Sequence, residues 1–489
     1  MGELPILNGV LKYIKEKNIL FSMPGHKGSL GFLFTEEGKK FWENMPQCDL
    51  TEVEGLDNLH NSEGIIKESG YLLSRFYNSK KSYFLVNGST SGNLAMIFSC
   101  FKEEDKIIVE RNCHRSIFNG IIMRKLKPIY IKNKVYRQFN APLSIDLEHF
   151  LSLIKENKDA KGIVITYPNY YGVCPNLKII IKEAKKYNMK VLIDSAHGAH
   201  FGVCEKLPKS ALELGADMVV MSAHKTLPSL TQTAFLHIGK DSIIDANKVD
   251  FYISAFSSTS PSYLFLCSMD YSRFYLEKYG QEHYNELINR ANYYRKKINL
   301  LDSFYVLNHS DIKHLNLKYK DVMDIDLTRY TINIKNGLNA SCLSKYLREC
   351  GIQCEMSDGN NIILILSPFY NEDVMDRLYE SLYEWDKNYN KDKYNYNKDK
   401  YNYNINYNYI ETNMNMYPYE VLEKEYLWID YKDSLGKISY NNIVPYPPGV
   451  PIIMAGEIIN KEIIDAICYY KNNGIDVLGL KDNKIQIVK

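Results

Sequence analysis

The 489-residue sequence has little of what marks a secreted, membrane-spanning or nucleic-acid-binding protein. Its ten cysteines are scattered singly with no C-x-x-C pair, which argues against a disulfide framework and favours a reducing, cytoplasmic setting. No stretch approaches about eighteen consecutive apolar residues, and the N-terminus interleaves Glu and Lys with apolar residues, so neither a membrane span nor a signal peptide is expected. Sixty Lys plus Arg nearly balance fifty-eight Asp plus Glu, so the chain has no large net charge that would attract nucleic acid or a membrane surface.

Two phosphate-binding signatures of nucleotide enzymes are also missing. The pattern G-x-x-x-x-G-K-[ST] does not occur, and the G-x-G-x-x-G fingerprint is missing from the strand-to-helix turn at residues 87–93. A P-loop enzyme and a dinucleotide-binding enzyme are therefore disfavoured. A small-molecule partner of another kind is expected.

Between residues 81 and 238, short β-rich runs alternate regularly with helical periodicity. This alternation predicts an α/β domain with a largely parallel sheet. One βαβ unit can be read from the pattern alone, because apolar residues recur at helical spacing over residues 177–184. The predicted strands are Ser82–Val86, Lys106–Glu110, Pro128–Ile131, Gly162–Thr166, Lys190–Asp194, Asp217–Met221 and Thr233–Ile238.

The remainder of the chain predicts a second, smaller α/β unit and an insertion. Long helices are predicted at Tyr263–Tyr279 and Tyr284–Leu300, followed by strands at Arg329–Ile334 and Asn361–Leu366. The heptapeptide YNKDKYN then occurs twice in succession within a tract poor in aliphatic residues, which predicts a disordered insertion. The predicted boundaries are 1–80 for an N-terminal segment, 81–300 for the large domain, 301–386 for the small domain, 387–416 for the insertion and 417–489 for a C-terminal domain.

Two charged residues at predicted strand ends suggest a chemistry. Lys225 follows the strand that begins at Asp217, and Asp194 ends the strand before it. A desolvated lysine can form a Schiff base, and an aspartate at the neighbouring strand end can keep a pyridinium nitrogen protonated. These are the two polar anchors that pyridoxal phosphate requires. Each also has an ordinary interpretation, as a solvated lysine or a helix cap.

A third element supports the same cofactor. The segment NGSTSGN, residues 87–93, follows one strand and opens a helix. Its glycines permit a tight turn, its three hydroxyls offer donors, and a helix N-terminus favours a dianionic phosphate. The segment therefore resembles a phosphate cradle.

Eight motifs, in one order, make the resemblance specific. Together they are similar to the pyridoxal-phosphate-dependent Orn/Lys/Arg decarboxylase family of fold type I, in its short form without the N-terminal flavodoxin-like domain. The resemblance runs from about Pro5 to Val488. The motifs are MPGHKGS (23–29), DLTEVEGLDNLHNSEG (49–64), FLVNGSTSGN (84–93), RNCHRS (111–116), IDSAHGAH (193–200), SAHKTL (222–227), STSPSY (258–263) and YPPGVP (446–451).

The resemblance implies a role for each matching residue. Lys225 would form the Schiff base, Asp194 would bind the pyridinium nitrogen, and His114 would stack on the cofactor ring. Thr259 would reach the phosphate from the adjacent subunit, so a homodimer or higher homo-oligomer with shared sites is implied, to which residues 1–80 contribute. The implied phosphate contacts are Ser89, Thr90, Ser91, Ser222 and His224.

The implied reaction is decarboxylation of a basic amino acid to the corresponding polyamine-type amine and CO2. Arginine or lysine is favoured over ornithine by resemblance to short bacterial members. The candidates for the proton donor to the substrate carbon are Lys225, His197 and His200. His197 and His200 form an H-x-x-H pair without a third ligand, so no metal is expected. One departure is Ala455 where the family has proline in a Pro-Gly-Glu sequence.

Other functions remain open at this point. An aminotransferase or a β-eliminating lyase of fold type I would use the same lysine and aspartate. An aminotransferase usually needs a late arginine for the substrate carboxylate, but Arg348 and Arg377 fall in predicted helices. A pyridoxal-phosphate-binding regulatory protein without turnover is a further alternative. In the acidic run at residues 49–57, one carboxylate could meet the distal cation of a basic substrate.

Overall fold

The computed structural model describes residues 4–316, 320–335, 340–389, 410–446, 450–472 and 475–489. The N-terminal segment and the large α/β region form a continuous series of helices and strands. The N-terminal elements are α1 (Pro5–Lys15), β1 (Ile19–Phe21), α2 (Leu30–Leu33), α3 (Glu36–Glu43) and α4 (Ile65–Phe76). They are followed by β2 (Ser79–Leu85), α5 (Gly88–Cys100), β3 (Lys106–Glu110), α6 (Arg115–Met123), β4 (Lys127–Ile131), β5 (Asn133–Tyr136), β6 (Ala141–Ile145), α7 (Leu147–Glu156), β7 (Gly162–Thr166), β8 (Val173–Pro175), α8 (Leu177–Lys186), β9 (Lys190–Asp194), β10 (Met218–Met221), α9 (Ala223–Thr226), β11 (Ala234–Gly239), α10 (Ala246–Phe256), α11 (Tyr263–Tyr275) and α12 (Gln281–Asn299).

A second group of elements follows, and a third forms the C-terminal region. The second group is β12 (Phe304–Val306), α13 (Ile312–Leu315), β13 (Val322–Ile325), β14 (Arg329–Ile334), α14 (Ala340–Glu349), β15 (Ile352–Cys354), β16 (Met356–Ser357), β17 (Asn361–Ile365) and α15 (Glu372–Tyr389). The third is α16 (Pro418–Leu422), β18 (Tyr426–Asp430), β19 (Val444–Tyr446), α17 (Lys461–Asn472), β20 (Asp476–Leu478), β21 (Leu480–Lys481) and β22 (Lys484–Val488).

The large sheet has seven strands in the order β2-β11-β10-β9-β7-β3-β4. Its central strands β7, β9 and β10 are runs of apolar residues and are almost wholly buried, as expected for parallel strands covered on both faces. Strand β11 runs antiparallel to the other six strands, which all run in one direction and therefore end at the same edge of the sheet. The predicted α/β class with a mostly parallel sheet is confirmed.

A smaller antiparallel sheet, in the order β12-β14-β17-β16, stands beside the large one. One hydrophobic cluster runs from the large sheet through α11 and α12 into this sheet, which fixes the two sheets against each other. The N-terminal segment is also joined to this region, because β1 pairs in parallel with β15. The sequence pattern did not predict this pairing between residues far apart in the chain.

The prediction of two separate long helices at Tyr263–Tyr279 and Tyr284–Leu300 is wrong. The structure continues from α11 into α12 through a π-helical turn at Leu276–Gly280. Gly280, which lies between the two predicted ranges, has helical dihedral angles, and a Cβ atom there would lie 2.6 Å from Val203 Cγ1. This glycine therefore permits close packing and does not end the helix.

The edges of the predicted insertion also differ from the sequence expectation. Residues 387–389 complete α15, and Glu411 pairs with Lys132 of the large region. The backbone of residues 413–416 bonds to the segment around Gly456, because the carbonyl of Gly456 accepts N–H groups from Asn415 and Met416. The repeats between these edges, and Pro447 to Gly449 of the YPPGVP motif, lie outside the described residues.

No helix among the described ranges is long and apolar enough to cross a membrane.

Candidate active site

The candidate site lies at the edge where the six parallel-running strands end. Val220 of β10 is in register with Asp194 of β9, and Lys225 follows in the short helix α9. The loop after β2 and the loop after β3 come to the same edge, and they carry Ser89 to Ser91 and His114. The strand order thus brings together residues that are up to 136 positions apart in the sequence, from Ser89 to Lys225.

Lys225 lies against His197. The distance from Lys225 Nζ to His197 Nε2 is 3.1 Å. Burial lowers the pKa of Lys225, Arg329 lowers it further, and the carboxylates of Asp194 and Glu355 act in the opposite direction. The net effect moves the lysine toward the uncharged amine that nucleophilic attack requires.

Asp194 is held in a fixed orientation by two donors. Its side chain is 2% exposed. One carboxylate oxygen accepts a hydrogen bond of 2.9 Å from Asn93 Nδ2, and the other accepts one of 3.1 Å from the backbone N–H of Ala196. A buried carboxylate with this support is suited to hold a protonated ring nitrogen.

Asn93 also connects Asp194 to His114. Its Nδ2 group donates to Ser116 Oγ at 2.9 Å, and Ser116 Oγ lies 2.7 Å from His114 Nδ1. The backbone N–H of Ser116 also donates to the same ring nitrogen. His114 thus caps α6 through Nδ1 while its ring orientation is fixed relative to Asp194. Sequence reasoning quoted Asn93 in a motif but gave it no role.

The start of α5 fits a phosphate. Its N-cap makes no side-chain hydrogen bond, which leaves the N–H groups of the first turn without a side-chain partner. Ser222 Oγ donates to Ser89 Oγ at 2.9 Å, so the loop after β10 meets this turn. Ser91 Oγ instead donates to the Gly88 carbonyl, and Thr90 is exposed. The hydroxyls and the helix start together match a phosphate dianion.

For the other two predicted phosphate contacts, His224 and Thr259, the structure gives less direct support. His224 Nδ1 bonds to the carbonyl of Thr233 at 2.8 Å. Thr259 is exposed, and its neighbour Ser258 donates a backbone N–H to Asn87, just before α5 in the same chain. The segment thus lies beside the chain's own phosphate loop, and the contribution of Thr259 to a second subunit stays a prediction.

Two candidate groups are engaged away from the site. His200 is completely buried, lies 3.3 Å from an Asp326 oxygen and stacks on Tyr284, so it packs in the core. In the acidic run, Asp57 accepts backbone hydrogen bonds from four residues around the start of α4 and organises that loop. Among the described residues, no group of three or more His, Cys, Asp or Glu side chains could hold a metal ion.

Sequence reasoning missed a buried late arginine, Arg329, and considered only Arg348 and Arg377. Arg348 pairs with Glu16, and Arg377 donates to the carbonyl of Cys350, so both lie outside the site. Arg329 is instead 2% exposed at the start of β14, and its Nη2 lies 3.0 Å from His197 Nδ1. The strand beginning at Arg329 was predicted correctly, but periodicity could not show that it starts beside Lys225.

Glu355 is a second residue that sequence reasoning missed. It lies between β15 and β16 and accepts hydrogen bonds from the Tyr170 hydroxyl and from the backbone N–H of Met23. Nearby Lys27, in the MPGHKGS motif, is 3% exposed, and burial lowers its pKa to about 7. The small sheet and the N-terminal segment therefore both contribute charged groups to this edge.

Comparison with known proteins identifies the family. Residues 4–373 match the major domain of the Orn/Lys/Arg decarboxylases, and residues 406–473 match their C-terminal domain. An arginine decarboxylase from Bacillus subtilis is 31% identical over 496 residues, covering 100% of this chain and 97% of the relative. The uncharacterized protein YaaO from the same organism is 33% identical, with 95% and 93% covered. The lysine decarboxylase LdcF of Francisella novicida has a similar fold, with a TM-score of 0.80 at 22% identity over 98% of this chain and 80% of that one. The chain therefore belongs to the Orn/Lys/Arg decarboxylase family.

Proposed function

We propose that this chain binds pyridoxal phosphate at the described edge and decarboxylates arginine or lysine in preference to ornithine, releasing CO2 and the corresponding amine. Decarboxylation of a basic amino acid follows from the family. The observation that carries the cofactor assignment is the placement of Lys225 and Asp194 at the ends of two neighbouring parallel strands, beside the start of α5.

The residues fit the cofactor and divide its binding among them. When bound, pyridoxal phosphate supplies a sink for the electrons of the bond that breaks at the substrate carbon. Asp194, held by Asn93, keeps a proton on the ring nitrogen, and His114 covers the ring. Lys225 provides the amine that anchors the cofactor, and its Nζ carries the proton to the substrate carbon after CO2 leaves.

Glu355 is the group that we assign to the distal cation of the substrate. Its carboxylate lies near enough to Lys225 and Lys27 to oppose the lowering of their pKa values by burial. The Tyr170 hydroxyl and the Met23 N–H fix its orientation. A guanidinium or ammonium group on an extended substrate would complement this charge. The similarity to arginine decarboxylases at about 30% identity favours arginine.

We also propose that the protein is a homodimer in the cytoplasm. Helix α1 has no buried residue, and five of its apolar side chains are about half exposed or more within a single chain. A second copy of the chain would cover this surface. The five side chains are Ile6, Leu7, Val10, Leu11 and Ile14.

The test is release of CO2 from arginine, lysine and ornithine by the purified protein. Lys225→Ala should abolish turnover and the cofactor absorbance at about 420 nm without unfolding the protein. Glu355→Gln should raise KM for the preferred substrate by about tenfold or more, because a charge-assisted contact is lost. The matched control is Glu462→Gln, since Glu462 is exposed on α17 and lies outside the acidic run. Normal turnover by Lys225→Ala contradicts the proposal.

Arg329 gives one observation in favour of a second function. A buried arginine near Lys225 is the group that an aminotransferase would use for the substrate carboxylate. The same incubations should therefore be analysed for keto acid and, for a β-eliminating lyase, for ammonia. Keto acid without CO2 would assign transamination, and an absorbance change without any product would assign a binding protein.

A further inference from the structure

Arg329 and His197 make a contact that constrains the chemistry of Lys225. Arg329 comes from the first position of β14 in the small sheet, whereas His197 follows β9 of the large sheet. The guanidinium Nη1 donates to the carbonyl of Tyr170 at 2.8 Å, and Nη2 lies 3.0 Å from His197 Nδ1. Both side chains are at least nine-tenths buried, so water does not replace these contacts.

The chemistry of the two groups leaves one arrangement of protons. A guanidinium can only donate hydrogen bonds, so His197 Nδ1 must accept. A neutral imidazole that accepts at Nδ1 carries its proton on Nε2. The same Nε2 lies 3.1 Å from Lys225 Nζ. Since this N–H donates toward Lys225, the lysine must accept, and only an uncharged amine has a lone pair.

The charged groups around the pair agree with this arrangement. Lys225 is faced by Asp194, Glu355 and Arg329, and the net pKa is lowered because burial outweighs the two carboxylates. Burial also keeps the pKa of His197 well below its usual value, and each of its titratable neighbours acts in the same direction. Those neighbours are Lys225, Arg329, His114 and His224.

We propose that Arg329 is a positioning residue that fixes the tautomer of His197 and thereby holds Lys225 as an uncharged amine before the cofactor attaches. An ammonium group has no lone pair and cannot attack a carbonyl. Attachment forms a bond from the Nζ lone pair to the aldehyde carbon, and the aldehyde oxygen leaves as water with both amine protons. The inference rests on the proposed function only for the identity of that aldehyde.

The test measures Lys225 directly in the full-length protein stripped of cofactor. Competitive acylation with acetic anhydride across a pH series, read by peptide mass spectrometry, gives the reactivity of each lysine separately. Arg329→Met should lower the labelling of Lys225 near neutral pH about tenfold, equivalent to about one pKa unit. Arg329→Lys keeps both the charge and a donor, so it should restore most of the labelling. Unchanged labelling in Arg329→Met, with the fold intact, overturns the proposal.

Arg329→Gln separates the hydrogen bond from the charge. Glutamine lacks the charge but can donate to His197 Nδ1, so Lys225 should be labelled more in this variant than in Arg329→Met. Lys27 is an internal control, because Arg329 lowers its pKa through charge alone and the two variants should affect it equally. Equal labelling of Lys225 in the two variants would show that Arg329 acts on Lys225 through its charge alone, and it would overturn the tautomer assignment.

His197→Leu gives the sign of the effect without touching Arg329. If His197 donates to an uncharged Lys225, removing it raises the pKa of Lys225 and lowers its labelling. If His197 accepts from a charged Lys225, removal has the opposite effect, and increased labelling overturns the proposal. These readouts need no turnover, so a failure of the decarboxylase assay is distinguishable from a failure of this inference.

Discussion

At the scale of single residues, the site depends on polar groups that are buried and fully oriented. Asn93 is completely buried and orients both Asp194 and, through Ser116, the ring of His114. The two hydrogen bonds that its amide nitrogen donates fix the orientation of this side chain.

Asp194→Asn should retain the cofactor but lose at least about 100-fold in kcat, since the charge that stabilises the ring proton is removed while size is kept. The cofactor absorbance and the rate of CO2 release are measured on the same sample. Asn93→Ser is the companion variant, which should lower the rate less because the charge of Asp194 remains. An unaltered rate in Asp194→Asn would limit Asp194 to a structural role.

His237 should make the protein sensitive to acid. It is fully buried beside Ser82, and burial lowers its pKa to about 3. Below pH about 6.5 the unfolded chain takes up a proton that the folded chain excludes, so the free energy of unfolding falls by about 1.4 kcal/mol per pH unit. This contribution is present above pH about 6.5 and is lost as the pH falls toward 3.

The measurement is urea unfolding between about pH 6 and pH 4, compared with His237→Gln, which has no titrating ring. The variant should be less stable at neutral pH but should lose stability less steeply on acidification. Parallel slopes for the two proteins would contradict the assignment.

At the scale of elements, the sequence predicted strands well and their partners poorly. Lys106–Glu110, Gly162–Thr166, Lys190–Asp194 and Arg329–Ile334 are observed at the predicted bounds, because short apolar runs bounded by polar residues have few alternatives. Lys225 and Asp194 could be placed together because parallel strands end at one edge. Arg329 and Glu355 could not, since they reach the site from another sheet and periodicity carries no information on such contacts.

The packing of α5 on the large sheet should respond to Gly92→Ala. A Cβ atom at residue 92 would overlap Val220 of β10 and crowd Leu85 of β2. Helix α5, whose first turn carries the phosphate-loop hydroxyls, would therefore be displaced. Overpacking of this kind costs about 1–3 kcal/mol. Urea unfolding should show the loss, and cofactor affinity should fall with it.

Val220→Ala combined with Gly92→Ala is the matched control, because it removes the overlapping methyl groups. The double variant should lose less stability than the sum of the two single variants. Strict additivity of the two stability losses would show that the overlap is relieved by movement of groups other than Val220.

At the scale of the whole molecule, a buried ion pair joins the C-terminal region to the loop that carries His114. Arg111 binds Glu457 through two bonds of 2.6 Å, and both side chains are 5% exposed or less. Ala455 stands where the family resemblance implies proline, and its backbone N–H donates to Asn442 Oδ1, a bond that proline could not make. The C-terminal region is thus anchored at Arg111, three residues before His114.

Glu457→Met should destabilise the protein by about 3–5 kcal/mol, because the buried guanidinium of Arg111 would lose the carboxylate that it binds through two hydrogen bonds. Thermal and urea unfolding measure the loss. The double variant Arg111→Met with Glu457→Met should recover much of it, since two apolar side chains replace the pair. A double variant that is no more stable than Glu457→Met would show that the loss does not come from breaking the contact between Arg111 and Glu457.

The pairing of β1 with β15 has a consequence for synthesis of the chain. Ile19 is opposite Ile352, so 333 more residues must be made after Ile19 before its partner is present. At about 5–20 residues per second, this takes roughly 15 to 70 seconds on the ribosome. The loop that carries Lys27 follows β1 directly and must wait for the same partner. The site is therefore completed late in translation, after all seven strands of the large sheet have been made.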